Sequence, residues 1–118
     1  MGFHFCAHSW EVRNIDDGTL VRLTPRDLDA GTLPDLVDDL FELVLESGQP
    51  DLYLDFAELR QASNEVREKL TVLSGKMRTQ GGRLILLNVK PFIYESMQAS
   101  GVTNAIDVRV EESGDTIF

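Results

Sequence analysis

Four apolar residues stand in an unbroken row at Leu84-Ile85-Leu86-Leu87. Such a run is expected of a central strand covered on both faces. Its neighbours supply the covering layer. Upstream, Val66, Leu70, Leu73 and Met77 repeat at helical spacing, and Gly81-Gly82 ends that helix. Downstream, Pro91 stands where proline can open a helix, Phe92, Ile93 and Met97 give it apolar contacts, and Gly101 closes it. Helix, buried strand, helix is the signature of an α/β fold, with right-handed crossovers between parallel strands.

The remaining elements extend the pattern. Phe3 to Val12 is rich in aromatic and β-branched residues and reads as a strand. Asp16-Asp17-Gly18 is a turn signal, and Thr19 to Leu23 a second strand, so the chain opens with a hairpin. Thr32 is the expected N-cap of a first helix, with Asp35 in a capping-box-like place and Pro34 in the first turn. Leu33, Leu36, Val37, Leu40, Phe41 and Val44 form its stripe, Gly48 is its C′ residue, and Pro50 stops it. Leu52 to Phe56 is a strand. The second helix is expected to begin near Ser63 or Asn64, with Gly75 weakening it by about 1 kcal/mol relative to alanine. Ile106, Val108 and Val110 alternate as a last strand.

Length and charge bound the function. The 118 residues fit one domain, 1–118, large enough to bury a core without disulfide or metal staples. No apolar run approaches the ~20 residues of a membrane helix. No signal peptide is evident at Met1-Gly2-Phe3-His4-Phe5, and Cys6 stands where a myristoylation signal needs a small hydroxyl residue. A lone cysteine suits a reducing, cytoplasmic location. The net charge of −9 repels phosphate backbones and anionic lipid, so neither nucleic acid nor membrane is expected as a partner. Eight acidic and no basic residues lie between Asp27 and Asp51, whereas seven basic and two acidic ones lie between Arg60 and Lys90. That asymmetry implies either two neighbouring helices with complementary surfaces or a basic face offered to an acidic partner.

Chemistry-bearing clusters are few. His4, Cys6 and His8 alternate along the first strand and so share a face. Alternate residues lie ~6–7 Å apart, so two could reach one ion and three would strain. Trp10 and Val12 share their parity, which favours a packed face over a zinc or copper site. Both histidines sit on that strand, no Ser/His/Asp arrangement stands out, and Gly81-Gly82 lacks a phosphate-loop pattern. No catalytic residue, metal site or cofactor is expected, and the chain does not read as an enzyme.

From Leu54-Asp55-Phe56 onward the chain resembles the STAS family, which includes bacterial anti-sigma-factor antagonists. Members carry a Leu-Asp-apolar strand end, an Asp-Ser-Ser-Gly loop, a helix, a Gly-Gly turn, an apolar strand and an Asn-Val-x-Pro-like helix start. Here these fall on Leu54-Asp55-Phe56, Ser63 to Val66, Gly81-Gly82, Arg83 to Leu87 and Asn88-Val89-Lys90-Pro91. Ser100-Gly101-Val102 is similar to the family's Thr/Ser-Gly-Leu, and Val21-Arg22-Leu23 with Leu28-Asp29-Ala30 to its second strand and first-helix approach. The resemblance implies a STAS-like mixed β-sheet with an N-terminal hairpin and about three helices packed mainly on one face.

The resemblance also implies a function and a site. It points to a protein–protein interaction module like an anti-sigma-factor antagonist, whose partner is an anti-sigma kinase or another STAS-containing protein. The isolated chain is expected to be a monomer. Partner contact falls to Arg26, Asp29, Gln61, Ser63, Asn64, Glu65 and Arg67. In the family a kinase phosphorylates a serine that corresponds to Asn64, which has no hydroxyl. Glu65 adds one carboxylate, less than the ~−1.5 to −2 of a phosphoserine. Ser63 reads first as an N-cap and second as a phosphosite displaced by one residue. Pro25-Arg26-Asp27 stands where the family has a glycine, on a loop that borders its partner surface. The alternatives are a non-phosphorylatable scaffold subunit of a STAS-containing signalling assembly, or a small-ligand or metal sensor.

Overall fold

A computed structural model describes residues 10–15, 18–101 and 106–110. Five strands form one sheet in sequential order: β1 (Glu11–Ile15), β2 (Gly18–Arg22), β3 (Asp51–Asp55), β4 (Leu84–Val89) and β5 (Asp107–Val110). Three helices separate the last four strands: α1 (Leu36–Ser47), α2 (Asn64–Thr79) and α3 (Pro91–Ala99). β1 is antiparallel to β2, and β2 to β5 run parallel. The mixed sheet, opening hairpin and three helices are those expected.

Register sorts the two faces. Val21, Leu54, Leu86 and Val108 lie abreast across the sheet. The first three are fully buried and share one core with Leu36 and Leu40 of α1, Leu70 and Leu73 of α2, and Ile93 and Met97 of α3. The other face carries Arg13, Leu20, Tyr53, Ile85 and Asp107 abreast. Asp51 locks the start of β3 to β4 by accepting from the Arg83 backbone N–H (3.1 Å) and guanidinium (3.1 Å). That hydrogen bond, and then the carboxylate charge, raise the Arg83 pKa further above its ordinary value.

Four local expectations change. Of the first strand expected over Phe3 to Val12, only Glu11 and Val12 fall in β1, which runs on to Ile15; residues 1–9 lie outside the described set. Arg13 and Asn14 fit because β1 is an edge strand, exposed along its whole length. Gly18, expected within the turn, is the first residue of β2 and pairs with Ile15. A side chain there would meet the Asp51 carbonyl and the Tyr53 ring, each 2.7 Å from its Cβ. Thr32 holds the N-cap position of a 3-10 turn and not of α1, and its side chain makes no capping hydrogen bond. Its hydroxyl donates to the Arg26 carbonyl at 2.6 Å, a 3-10 turn spans Leu33–Asp35, and α1 starts only at Leu36. β4 continues past the apolar run through Asn88 and Val89. Gly48 ends α1 in the left-handed conformation (φ 71°), as expected of a C′ glycine.

Candidate functional site

The site lies where the parallel strands end. Asp55, the last residue of β3, is nearly buried. One carboxylate oxygen accepts from the Ala57 N–H (2.9 Å) and the Asn88 side-chain amide (3.0 Å). The other faces Arg22 Nε at 3.6 Å. Asn88 adopts φ 56°, a left-handed conformation that asparagine tolerates better than most residues. Lys90 Nζ donates to the Ala57 carbonyl at 3.0 Å. The loop after β3 is therefore held between β2 and the start of α3. Buried Phe56 and Leu59 anchor it from below.

Beyond Leu59 the loop turns outward and feeds α2. Ser63 is the N-cap, its Oγ accepting from the Val66 N–H at 3.2 Å. Glu65 is exposed in the first turn, where a carboxylate suits the helix dipole. Asn64, at the first position, accepts a hydrogen bond from the Arg67 guanidinium. The other guanidinium nitrogen of Arg67 donates to the Ala62 carbonyl (2.8 Å) and to Ser96 Oγ on α3 (2.5 Å).

A groove of about 610 Å³ separates this loop from the 3-10 turn Pro25–Leu28. Pro25, Leu28, Leu59 and Val66 give it apolar walls, and Asp29, Arg60, Gln61 and Ser63 supply its polar groups. Asp29 Oδ1 is occupied within its own turn, accepting from the Gly31 N–H (2.9 Å), the Thr32 N–H (3.1 Å) and the Thr32 hydroxyl (3.1 Å). On the other side of that turn a recess of about 250 Å³ is lined by Arg26 with Trp10, Thr24 and Glu58 among others. Asp27 is buried there and accepts from the Thr24 N–H at 2.8 Å. An apolar groove with a few fixed polar groups suits recognition by contact.

Asp29, Gln61 and Ser63 thus share the groove, and Asn64 and Glu65 follow at the helix start. Arg26 faces the neighbouring recess. Arg67 reaches away from the groove, to Ser96. Sequence reasoning passed over Leu28, Leu59 and Arg60 as groove walls and Asn88 as the brace of Asp55. The Asn88-Val89-Lys90-Pro91 motif carried the signal for that brace without its meaning. Among the described residues no three His, Cys, Asp or Glu side chains gather to hold a metal ion. His4, Cys6 and His8 lie outside the described residues.

No known sequence family matches the chain, and neither does any curated protein. Solved structures do match. The protein TM1081 from Thermotoga maritima has a TM-score of 0.78 at 11% identity, covering 94% of this chain and 88% of its own. A structure from the stressosome, described as a signal integration and transduction hub, has a TM-score of 0.71 at 16% identity, covering 86% and 88%. An anti-sigma-factor antagonist (STAS) domain protein from Planctomyces limnophilus has a TM-score of 0.69 at 14% identity, covering 87% and 91%. The chain has the STAS fold.

Proposed function

We propose that this chain is a protein–protein interaction module of the anti-sigma-factor-antagonist type, acting in the cytoplasm through the groove between the Pro25–Leu28 turn and the start of α2. The observation that carries this reading is the groove itself, which opens at the α2 start where the family's phosphoacceptor box falls in sequence. Arg26, Asp29, Gln61, Ser63, Asn64 and Glu65 contact the partner. Arg67 acts by fixing Asn64 and joining α2 to α3. Recognition is by burial of an apolar anchor and by hydrogen bonds, with no bond made or broken.

Asn64 offers no hydroxyl, so a kinase partner leaves position 64 unmodified. Ser63 has a hydroxyl, but it is already the acceptor that caps α2. A second reading, a scaffold subunit of a larger signalling assembly, draws on the absent hydroxyl and on the shared fold of the stressosome structure. Affinity capture from the native cell tests both, with the tagged wild type and R60E compared. Arg60 is exposed on the groove wall, so the variant should keep its fold. The first reading expects an ATPase-type kinase held by the wild type and lost by R60E. Several STAS-containing subunits, held equally by both proteins, would favour the scaffold.

A further inference from the structure

We propose that β1 is a self-pairing edge, along which two copies of this chain join antiparallel about a two-fold axis at Val12. Among the described residues no strand pairs with the outer side of β1. All five of its residues are exposed, including Val12 at 43% and Ile15 at 37%. An uncovered edge with apolar side chains is a template for another strand.

Geometry and charge favour one register over those centred on Glu11 or Arg13. A two-fold axis normal to the sheet leaves both helical layers on the same side. Residues opposite each other must then point to the same face, so only registers joining like parities are allowed. Val12 shares the helix-bearing face with Val21, while Glu11 and Arg13 share the other with Arg22 and Leu20. Pairing Glu11 with the partner's Glu11, or Arg13 with the partner's Arg13, sets like charges opposite each other, which destabilises a ladder. Centring on Val12 sets Glu11 opposite the partner's Arg13 twice over, with the two valines between them. Edge charges usually suppress pairing; in this order they suppress the neighbouring registers and favour that one.

The other edge, β5, has a similar order in Asp107-Val108-Arg109. There Val108 is partly buried in the core. A β1-to-β5 contact would also be heterologous, giving a ring or an open chain of copies and not a two-fold dimer. The β1 pair closes as a dimer. Its strands run oppositely, so the two grooves described above point to opposite ends and stay open. Centred on Val12, only Glu11, Val12 and Arg13 of each β1 face one another, so the interface is small and the dimer exchanges with monomer as concentration changes.

Sedimentation equilibrium across a concentration series tests this. The wild type should show monomer–dimer exchange, and E11R and R13E should each weaken the dimer at least tenfold. E11R also removes the 3.7 Å contact between Glu11 and Arg22, so circular dichroism should confirm that both variants are folded. Mixing the two variants is the decisive measurement. One edge is then wholly basic and the other wholly acidic, and a heterodimer should form that neither makes alone. A wild type that stays monomeric at NMR concentrations, variants that dimerise as tightly as wild type, a mixture without heterodimer, or growth beyond a dimer would overturn the proposal. None of these outcomes depends on partner binding at the groove.

Discussion

Arg67 holds Asn64 with one guanidinium nitrogen and Ser96 with another, so a single side chain fixes the first residue of α2 and ties it to α3. The Asn64 side-chain amide is thereby already engaged. Arginine suits this post because its planar fork serves several acceptors at once, whereas a lysine offers one point charge.

Arg67→Ala should therefore cost more than an ordinary surface substitution. It frees the Ala62 carbonyl and the Asn64 amide oxygen at the start of α2 together with Ser96 Oγ on α3. Part-buried hydrogen bonds from a charged donor imply a loss of about 1.5–3 kcal/mol in urea unfolding. Amide exchange should speed first in the opening turn of α2. Arg67→Lys should recover only part of the loss.

Two glycines should respond in opposite directions to alanine. Gly75 lies inside α2, is exposed, and a Cβ there meets nothing within 4 Å. Gly75→Ala should raise stability by about 0.5–1 kcal/mol through helix propensity and unfolded-state entropy. At Gly82 a Cβ would lie 1.8 Å from the Pro50 carbonyl oxygen, so backbone must move. Gly82→Ala should cost ~1–3 kcal/mol or more. Thermal melts of the two variants against wild type check both signs.

Leu86 is fully buried at the centre of the sheet, between Leu54 and Val108. Leu86→Ala should cost ~2–5 kcal/mol, depending on how far α1 to α3 collapse onto the vacated space. Val72 on α2 is 53% exposed, so Val72→Ala should stay within ~0.5 kcal/mol of wild type. Chemical denaturation of both variants separates the core from the surface.

The element order was legible because local punctuation marks each boundary: Gly48 and Pro50 after α1, Ser63 before α2, Pro91 opening α3. What stayed hidden depends on partners distant in sequence. Asn88 braces Asp55 from 33 residues away, and Arg67 reaches Ser96 across 29. Thr32 looked like a cap because cap preference is a local rule. Its hydroxyl is instead drawn to the Arg26 carbonyl by a turn that only the folded loop creates. The groove was hidden for the same reason. Pro25 and Leu28 meet Leu59 and Val66 only after β2 and β3 pair, and nothing in either segment alone announces a shared wall.

Asn64→Asp tests the partner surface directly. The new carboxylate would sit in the first turn of α2, where the dipole favours it by ~0.3–1 kcal/mol. It would also pair with Arg67, which an exposed site values at ~0.2–1 kcal/mol. The free protein should thus be as stable as wild type or slightly more so, by thermal melt. Binding should move the other way. A partner that covers this helix start must desolvate the added charge, and Arg67 neutralises it only in part. A tenfold loss of affinity, equal to ~1.4 kcal/mol, is the expected scale by calorimetry against the captured partner. Asn64→Ser should restore a hydroxyl at the family's position and, with a true kinase and ATP, give phosphate there and release. Mass spectrometry of the wild type under the same conditions should find position 64 unmodified. Stoichiometric phosphate on Ser63 would mean that the switch operates one residue earlier, at the expense of the α2 cap. Asn64→Asp binding as tightly as wild type, with no phosphate on either residue, would place the partner surface elsewhere and favour the scaffold.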